Sequence, residues 1–233
     1  MTQLIFDLPI HSAFGRADYL VCNCNAKVMA WIDRWPDWPS GASVLYGPAG
    51  CGKTHLAHLW CERASAVLVT GTRLDSHAVA RLIAQGRHRV AVDDGDRASE
   101  HALLHLHNFC LECGGHILIT TRRTPASWGP SLPDLTSRLR AAIAVGVDPP
   151  DDTLLGAVLA KHFCDRQLFV APQIINYLVQ RIERSFAAAA DIAARLDAIA
   201  LRNRSAVTLS LARTLVRQGP DHPFPPASDA GVT

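Results

Sequence analysis

Gly47-Pro48-Ala49-Gly50-Cys51-Gly52-Lys53-Thr54 places two glycines, a lysine and a threonine at the spacing G-x-x-x-x-G-K-[ST]. Ordinary residue usage produces those four fixed positions by chance in about one chain in a hundred of this length. The residue types suit one chemistry. Glycines let backbone N–H groups turn inward on phosphate oxygens, and a helix N-terminus behind them adds positive dipole. Pro48, Ala49, Gly50, Cys51 and Gly52 would form the cradle. Lys53 would reach the β- and γ-phosphates, and the Thr54 hydroxyl would hold Mg2+. A nucleoside di- or triphosphate is the expected ligand. An incidental glycine-rich turn is the bland alternative.

Asp93 and Asp94 close the apolar run Val90-Ala91-Val92, roughly forty residues after the loop. Asp93 would hold Mg2+ through water, and Asp94 would orient or activate a water on the γ-phosphate. The alternative is a pair of acids capping the next loop. Thr120 and Thr121 end a second apolar run, His116-Ile117-Leu118-Ile119. A hydroxyl there can contact phosphate or the attacking water, and Thr121 is the candidate nucleotide contact. Strand-end threonines also occur without a chemical role. Cys22-Asn23-Cys24 and Cys110-x-x-Cys113, with histidines at 101, 105, 107 and 116, suggest zinc. The second group falls on an amphipathic helix (Ala102, Leu103, Leu106, Phe109), where packed or solvated thiols and imidazoles are the simpler reading.

These groups need a scaffold, and the sequence supplies one. Ala42–Tyr46 is a short buried strand ahead of the loop, and Leu56, Leu59 and Trp60 mark the apolar face of a helix behind it. Further strands are expected at 66–70, 90–92, 116–121 and 144–147, separated by helices at 74–85, 98–112 and 134–141. A further helix precedes the first strand at 26–35. Strands that are apolar throughout and alternate with helices predict a five-stranded parallel sheet covered on both faces, an α/β fold. Trp35-Pro36-Asp37-Trp38-Pro39-Ser40-Gly41 is a turn leading into the first strand, whose tryptophans are expected to cover the sheet edge, with base stacking as the alternative. Beyond Asp148-Pro149-Pro150 only helices follow: one capped by Asp151 or Asp152, one opening at Pro172, one over 187–203 and one over 208–217. The expected division is a tail at 1–12, a nucleotide-binding base at 13–148, a helical lid at 149–218 and a disordered tail at 219–233.

The net charge is +2 with mixed signs, which leaves no basic footprint for sequence-independent DNA binding and no polybasic membrane signal. No apolar run reaches the roughly 18 residues of a membrane span. The seven cysteines are an odd number, most simply reduced thiols. A cytoplasmic location is expected.

A phosphate loop on a parallel sheet, followed by a small helical lid, is the layout of an AAA+ module. In AAA+ assemblies an arginine past the second threonine-bearing strand points into a neighbouring subunit's nucleotide. Arg138, in Asp134-Leu135-Thr136-Ser137-Arg138-Leu139-Arg140, holds that place. Such an arginine is worth ~10³–10⁵ in rate in phosphoryl-transfer systems. An ordinary surface arginine is the alternative. Head-to-tail association, including a homo-oligomer, is the contact expected of such modules.

One family matches in more detail. Phe14-Gly15-Arg16-Ala17-Asp18-Tyr19-Leu20-Val21, the phosphate loop, Val92-Asp93-Asp94, Ile119-Thr120-Thr121-Arg122-Arg123-Thr124-Pro125 and Leu132-Pro133-Asp134-Leu135-Thr136-Ser137-Arg138-Leu139 resemble the ATPase region of the bacterial replication initiator DnaA. The chain is more similar still to the short Hda-type regulatory homologues of that initiator. The match runs from about residue 3 to 217. At this length no room is left for the initiator's helix-turn-helix domain, so sequence-specific DNA binding is not expected. Gln3-Leu4-Ile5-Phe6-Asp7-Leu8 is similar to the tail by which Hda-type proteins bind the DNA polymerase III β sliding clamp. Leu4, Phe6 and Leu8 would lie in an apolar groove, with the Gln3 amide on its rim. A tail folded on its own domain is the alternative.

The resemblance implies a negative regulator of replication initiation. Bound to the clamp and so to the nucleoid, it would use Arg138 to promote hydrolysis of the initiator's ATP. The cofactors implied are ADP or ATP with Mg2+. An AAA+ loader or remodelling ATPase acting on another replication protein, such as the helicase, is the second reading. Three departures shape the first. Ala142 stands where the initiator has a second arginine, Ala187 stands at the lid's sensor arginine, and Arg122 replaces an acid. Arg184 or Arg195 are the candidate substitutes for the lid arginine. Without one, ADP is expected to bind at least as well as ATP, and intrinsic hydrolysis is expected to be slow. Cys51 inside the loop also suggests a redox-sensitive site.

Overall fold

The computed structural model describes residues 20–21, 24–203 and 205–218. Five strands, β1 (Ala42–Tyr46), β2 (Val67–Thr70), β3 (Arg89–Asp93), β4 (His116–Thr121) and β5 (Ile143–Gly146), form one parallel sheet in the order β2-β3-β4-β1-β5. Alternation along the strands divides their side chains between two cores. Val44, Val90, Val92, Ile117 and Ile119 face α3 (Ser76–Ala84), α4 (Glu100–Glu112) and α6 (Pro133–Ala141). Leu45, Ala91 and Leu118 face α1 (Ala26–Asp33) and α2 (Lys53–Ala64). The near-continuous apolar strands of the sequence are thus explained by burial on both faces, as a parallel sheet requires.

Trp31, Trp35, Trp38 and Trp60 close the end of the sheet opposite the phosphate loop. Trp38 stacks between Trp31 and Trp60, with ring centroids 5.5 Å from each. Trp31 Nε1 donates to Ser43 Oγ, and Arg89, the first residue of β3, lies 5.5 Å over the Trp35 ring. The expected hydrophobic cover is present, but it lies over the starts of β1, β3 and β4 rather than along an edge strand.

Side-chain caps start several of the helices. Asp75 accepts from Ala78 N, Thr124 from Ser127 N, and Asp151 from Leu154 N. Each satisfies an amide that the helix itself leaves without a partner. Between Asp151 and Asp152, the geometry therefore selects Asp151. Pro125, Pro133 and Pro172 occupy the first turn of α5 (Pro125–Trp128), α6 and α8 (Pro172–Val179), where a missing N–H costs nothing. The four-residue α5 was not expected from the sequence.

A third core fills the C-terminal bundle of α7 (Asp152–Asp165), α8, α9 (Phe186–Asn203) and α10 (Leu209–Gln218). Leu155, Leu159, Phe163, Leu178, Ile192, Leu196 and Leu215 meet there. Alanines along α9 are strong helix formers and let α7 approach closely. No described helix is long and apolar enough to cross a membrane.

Candidate functional site

β1, between β4 and β5 in the sheet, delivers the chain into residues 47–52 at the C-terminal ends of the strands, and α2 begins at Lys53. Crevices at this end are where open parallel sheets hold ligands. Gly47 N donates to Thr121 O at 3.2 Å and so ties the loop to β4. Gly50 and Gly52 have φ of +70° and +94°, left-handed values that other residues enter at a cost. Lys53 is 7% exposed and its Nζ donates to Gly47 O at 2.9 Å and Pro48 O at 2.7 Å, so the ammonium folds over the loop's own carbonyls. Cys51 lies beneath, 2% exposed, with Sγ 3.6 Å from Lys53 Nζ. Burial pushes the Cys51 thiol up despite the neighbouring lysine. A buried thiol shifted in this direction forms less of the reactive thiolate.

The strand-end residues form one chain of hydrogen bonds. Thr54 Oγ1 donates to Asp93 Oδ2 at 2.9 Å. Thr120 Oγ1 donates to Asp93 Oδ1 at 2.6 Å and accepts from Asp94 N at 2.9 Å. Thr120 is 0% exposed. It is therefore the Thr120 hydroxyl, rather than that of Thr121, that joins Asp93 to Asp94. Thr121 Oγ1 accepts from Arg123 N at the strand exit instead. Asp94 makes no side-chain cap, which disfavours the capping alternative for it, and it adopts the left-handed conformation at φ 51°. Asp tolerates that region better than most residues, and such outliers concentrate at functional sites. Among the described residues there is no group of three or more His, Cys, Asp or Glu that could hold a metal ion.

The Thr54 hydroxyl and the Asp93 carboxylate, 2.9 Å apart at the loop's exit, are hard oxygen donors. They fit Mg2+. Gly50 and Gly52 turn the loop through left-handed conformations, the backbone freedom that a phosphate-cradling loop requires.

Arg138 stands apart from this network. It is exposed on α6, beside the buried stripe of Leu135 and Leu139, and it makes no ion pair among the described residues. Glu100 fixes the approach to α6, because its carboxylate accepts from Ser131 N, Ser131 Oγ and Leu132 N at 3.0, 2.6 and 3.0 Å. The Ser131 hydroxyl and amide hold Glu100 below the usual carboxylate range. The sequence reading missed Glu100, because its partners lie about thirty residues on.

The bundle meets the loop through Ser185, Phe186 and Ala187. A Cβ built on Gly50 would lie 3.5 Å from Ala187 Cβ, so the position assigned to the lid's sensor does sit beside the loop. It carries a methyl group and no charge. The two suggested substitutes are engaged elsewhere: Arg184 pairs with Asp152 at 2.8 Å and Arg195 with Asp191 at 3.5 Å. Ala142 is 8% exposed against the sheet core, and Arg122 is exposed. Gln3, Leu4, Phe6 and Leu8 lie outside the described residues.

No protein-family model matches the chain. It is 25% identical to the chromosomal replication initiator protein DnaA of Thermomicrobium roseum over 221 residues, which cover 84% of this chain and 46% of that protein. The chain thus spans about half the length of this relative. Domain III of the Thermotoga maritima replication initiation protein DnaA superposes with a TM-score of 0.75 at 16% identity, over 92% of this chain and all of that one. AMPPCP-bound DnaA from Aquifex aeolicus superposes with a TM-score of 0.58 at 17% identity, over 71% of this chain and 59% of that one. The fold is of the AAA+ P-loop type, like that of these DnaA structures, and the chain is similar in sequence to about half of DnaA.

Proposed function

We propose that this chain is a nucleotide-dependent negative regulator of DNA replication initiation. It binds ADP or ATP with Mg2+ in the loop at 47–54, and it presents Arg138 to the ATP of a DnaA initiator. The observation that carries this reading is Arg138 itself: an exposed arginine without an ion pair among the described residues, on a helix fixed by buried leucines and by Glu100, on a DnaA-like AAA+ base. A trans-acting arginine needs those three properties, since it must be available, rigidly placed and on a surface that fits a neighbour's nucleotide.

The AMPPCP bound by the Aquifex aeolicus relative supports an adenine nucleotide as the ligand. Thr54 would coordinate Mg2+ directly and Asp93 through water. Mg2+ there would neutralise phosphate charge. Asp94 would orient a water, and Thr120 would hold Asp93 and the Asp94 amide in place for it. With a methyl group at Ala187, intrinsic hydrolysis is slow, and the consequential hydrolysis is the partner's. Gln3, Leu4, Phe6 and Leu8 would dock on the DNA polymerase III β sliding clamp, which would place the protein at the nucleoid. Residues 13–148 would act as base and 149–218 as lid.

The test mixes purified protein, clamp loaded on DNA and ATP-bound initiator, and follows ATP hydrolysis. Arg138→Ala is expected to abolish acceleration with ADP binding intact, and Gln3→Ala with Leu4→Ala to abolish it through lost clamp binding. No acceleration by the native chain sinks the regulator reading. Collapse of ADP affinity in Arg138→Ala sinks the trans role.

A further inference from the structure

A backbone hydrogen bond joins the C-terminal bundle to the phosphate loop: Phe186 N donates to Gly50 O at 2.8 Å. The surfaces around it are in contact. A Cβ on Gly50 would lie 2.6 Å from Ser185 Cβ, and one on Gly52 would lie 2.9 Å from Phe186 Cε2. Ser185 is 3% exposed and its Oγ accepts from Ala188 N at 3.1 Å, which makes it the cap of α9 and makes Phe186 the first helical residue. In a planar trans peptide the carbonyl oxygen and the following N–H point in opposite directions. Gly50 O and Cys51 N–H share one such peptide. Phe186 draws the oxygen toward the bundle, so the Cys51 N–H is directed to the other side of the loop.

We propose that the Phe186 N–H is a positioning group for the phosphate loop, through which the lid responds to a diphosphate in the cradle rather than to the γ-phosphate. This rests on the reading of the loop as a nucleotide site. A bound phosphate orients the loop's amides, and an oriented Gly50–Cys51 peptide offers its oxygen to α9. Thermodynamic reciprocity makes the coupling run both ways: whatever lid docking adds to nucleotide affinity, nucleotide adds to lid docking. Among the described residues the sensor position offers no direct route to the γ-phosphate, because Ala187 carries no charge and Arg184 and Arg195 are paired within the bundle. Any nucleoside diphosphate group fills the cradle, so ADP and ATP close the lid to the same extent, whereas AMP does not.

The position of Phe186 gives a clean test. Proline is well tolerated at the first residue of a helix. Phe186→Pro therefore deletes the N–H and keeps the helix start, while Phe186→Ala keeps the N–H and deletes the ring. Calorimetric titration of the full chain with ADP and with ATP, in Mg2+, is read beside far-ultraviolet circular dichroism of each variant. Phe186→Pro is expected to weaken ADP and ATP alike by about 5- to 10-fold, the worth of one hydrogen bond, and Phe186→Ala by less than about twofold. Hydrogen exchange of the native chain is expected to show amides 186–190 gaining equal protection with ADP and ATP and none with AMP. Native-like affinity in Phe186→Pro, a loss confined to ATP, or Phe186→Ala matching Phe186→Pro overturns the proposal. If Phe186→Pro unfolds the bundle, the exchange measurement decides, and protection gained with ATP alone overturns it. Native chain that binds neither nucleotide overturns the nucleotide-site reading and this inference with it, whereas binding without coupling overturns only the inference.

Discussion

Thr120 is a single hydroxyl with two obligations. It donates to Asp93 and accepts from Asp94 N while fully buried. Thr120→Val keeps the shape and removes both bonds, leaving a backbone amide and a carboxylate oxygen short of a partner. Such a loss costs about 1–3 kcal/mol. Urea denaturation is expected to show that loss in Thr120→Val and near-complete recovery in Thr120→Ser. The cysteines give a second expectation at this scale. Burial pushes Cys61 and Cys110 up to about 12 and raises Cys51 as well, while Cys113 and Cys164 are exposed. Iodoacetamide at pH 8 followed by peptide mass mapping is expected to label Cys113 and Cys164 first, with Cys51 protected in the folded chain. The sequence announced the phosphate loop and the acidic pair because their chemistry is local. It left Thr120 and Thr121 level, since adjacent strand residues point to opposite faces and only the packed sheet shows which face meets Asp93.

Elements decide how those groups are held. Asp151 Oδ1 accepts from Leu154 N at 2.8 Å and begins α7, so Asp151→Ala is expected to lower stability by about 1 kcal/mol in thermal or chemical unfolding. Glu100 links the start of α4 to the turn before α6. Glu100→Ala is expected to leave the fold intact and to raise hydrogen exchange over 129–136, the stretch that carries the approach to Arg138. Strand and helix existence was legible because apolar runs and helical periodicity are properties of neighbouring residues. Boundaries moved by a residue or two where caps, rather than periodicity, end the element. α5 stayed hidden because four residues are too few to show a period. The Phe186–Gly50 bond could not be read at all, since backbone groups carry no residue type.

At the scale of the molecule, three histidines make stability depend on pH. Burial lowers His107, His116 and His162 from 6.5. Their folded values lie below the unfolded one, so below pH 6.5 the unfolded chain takes up protons that the folded chain refuses. Stability therefore falls as the pH drops from 6.5 toward the folded values. The melting temperature is expected to be lower at pH 5.5 than at 7.5, and His107→Gln to flatten that slope, because His107 is only 2% exposed. Reaching this balance from sequence would need the burial of each imidazole, which depends on how the sheet orders its strands. Nothing local marks β1 as the strand between β4 and β5.

The tryptophans also give the molecule two separate optical signals. Trp31, Trp38 and Trp60 form a stack at spacings that couple their electronic transitions, at the end of the sheet remote from the phosphate loop. Near-ultraviolet dichroism from that stack reports whether the sheet is assembled and stays silent to events at residues 47–54. Trp128 lies alone at the other end, with its ring against Gly95, the neighbour of Asp94. Its emission is the internal probe for the acidic strand end. A titration that shifts fluorescence and leaves the dichroism unchanged follows ligand at the site in the native chain, with no label attached.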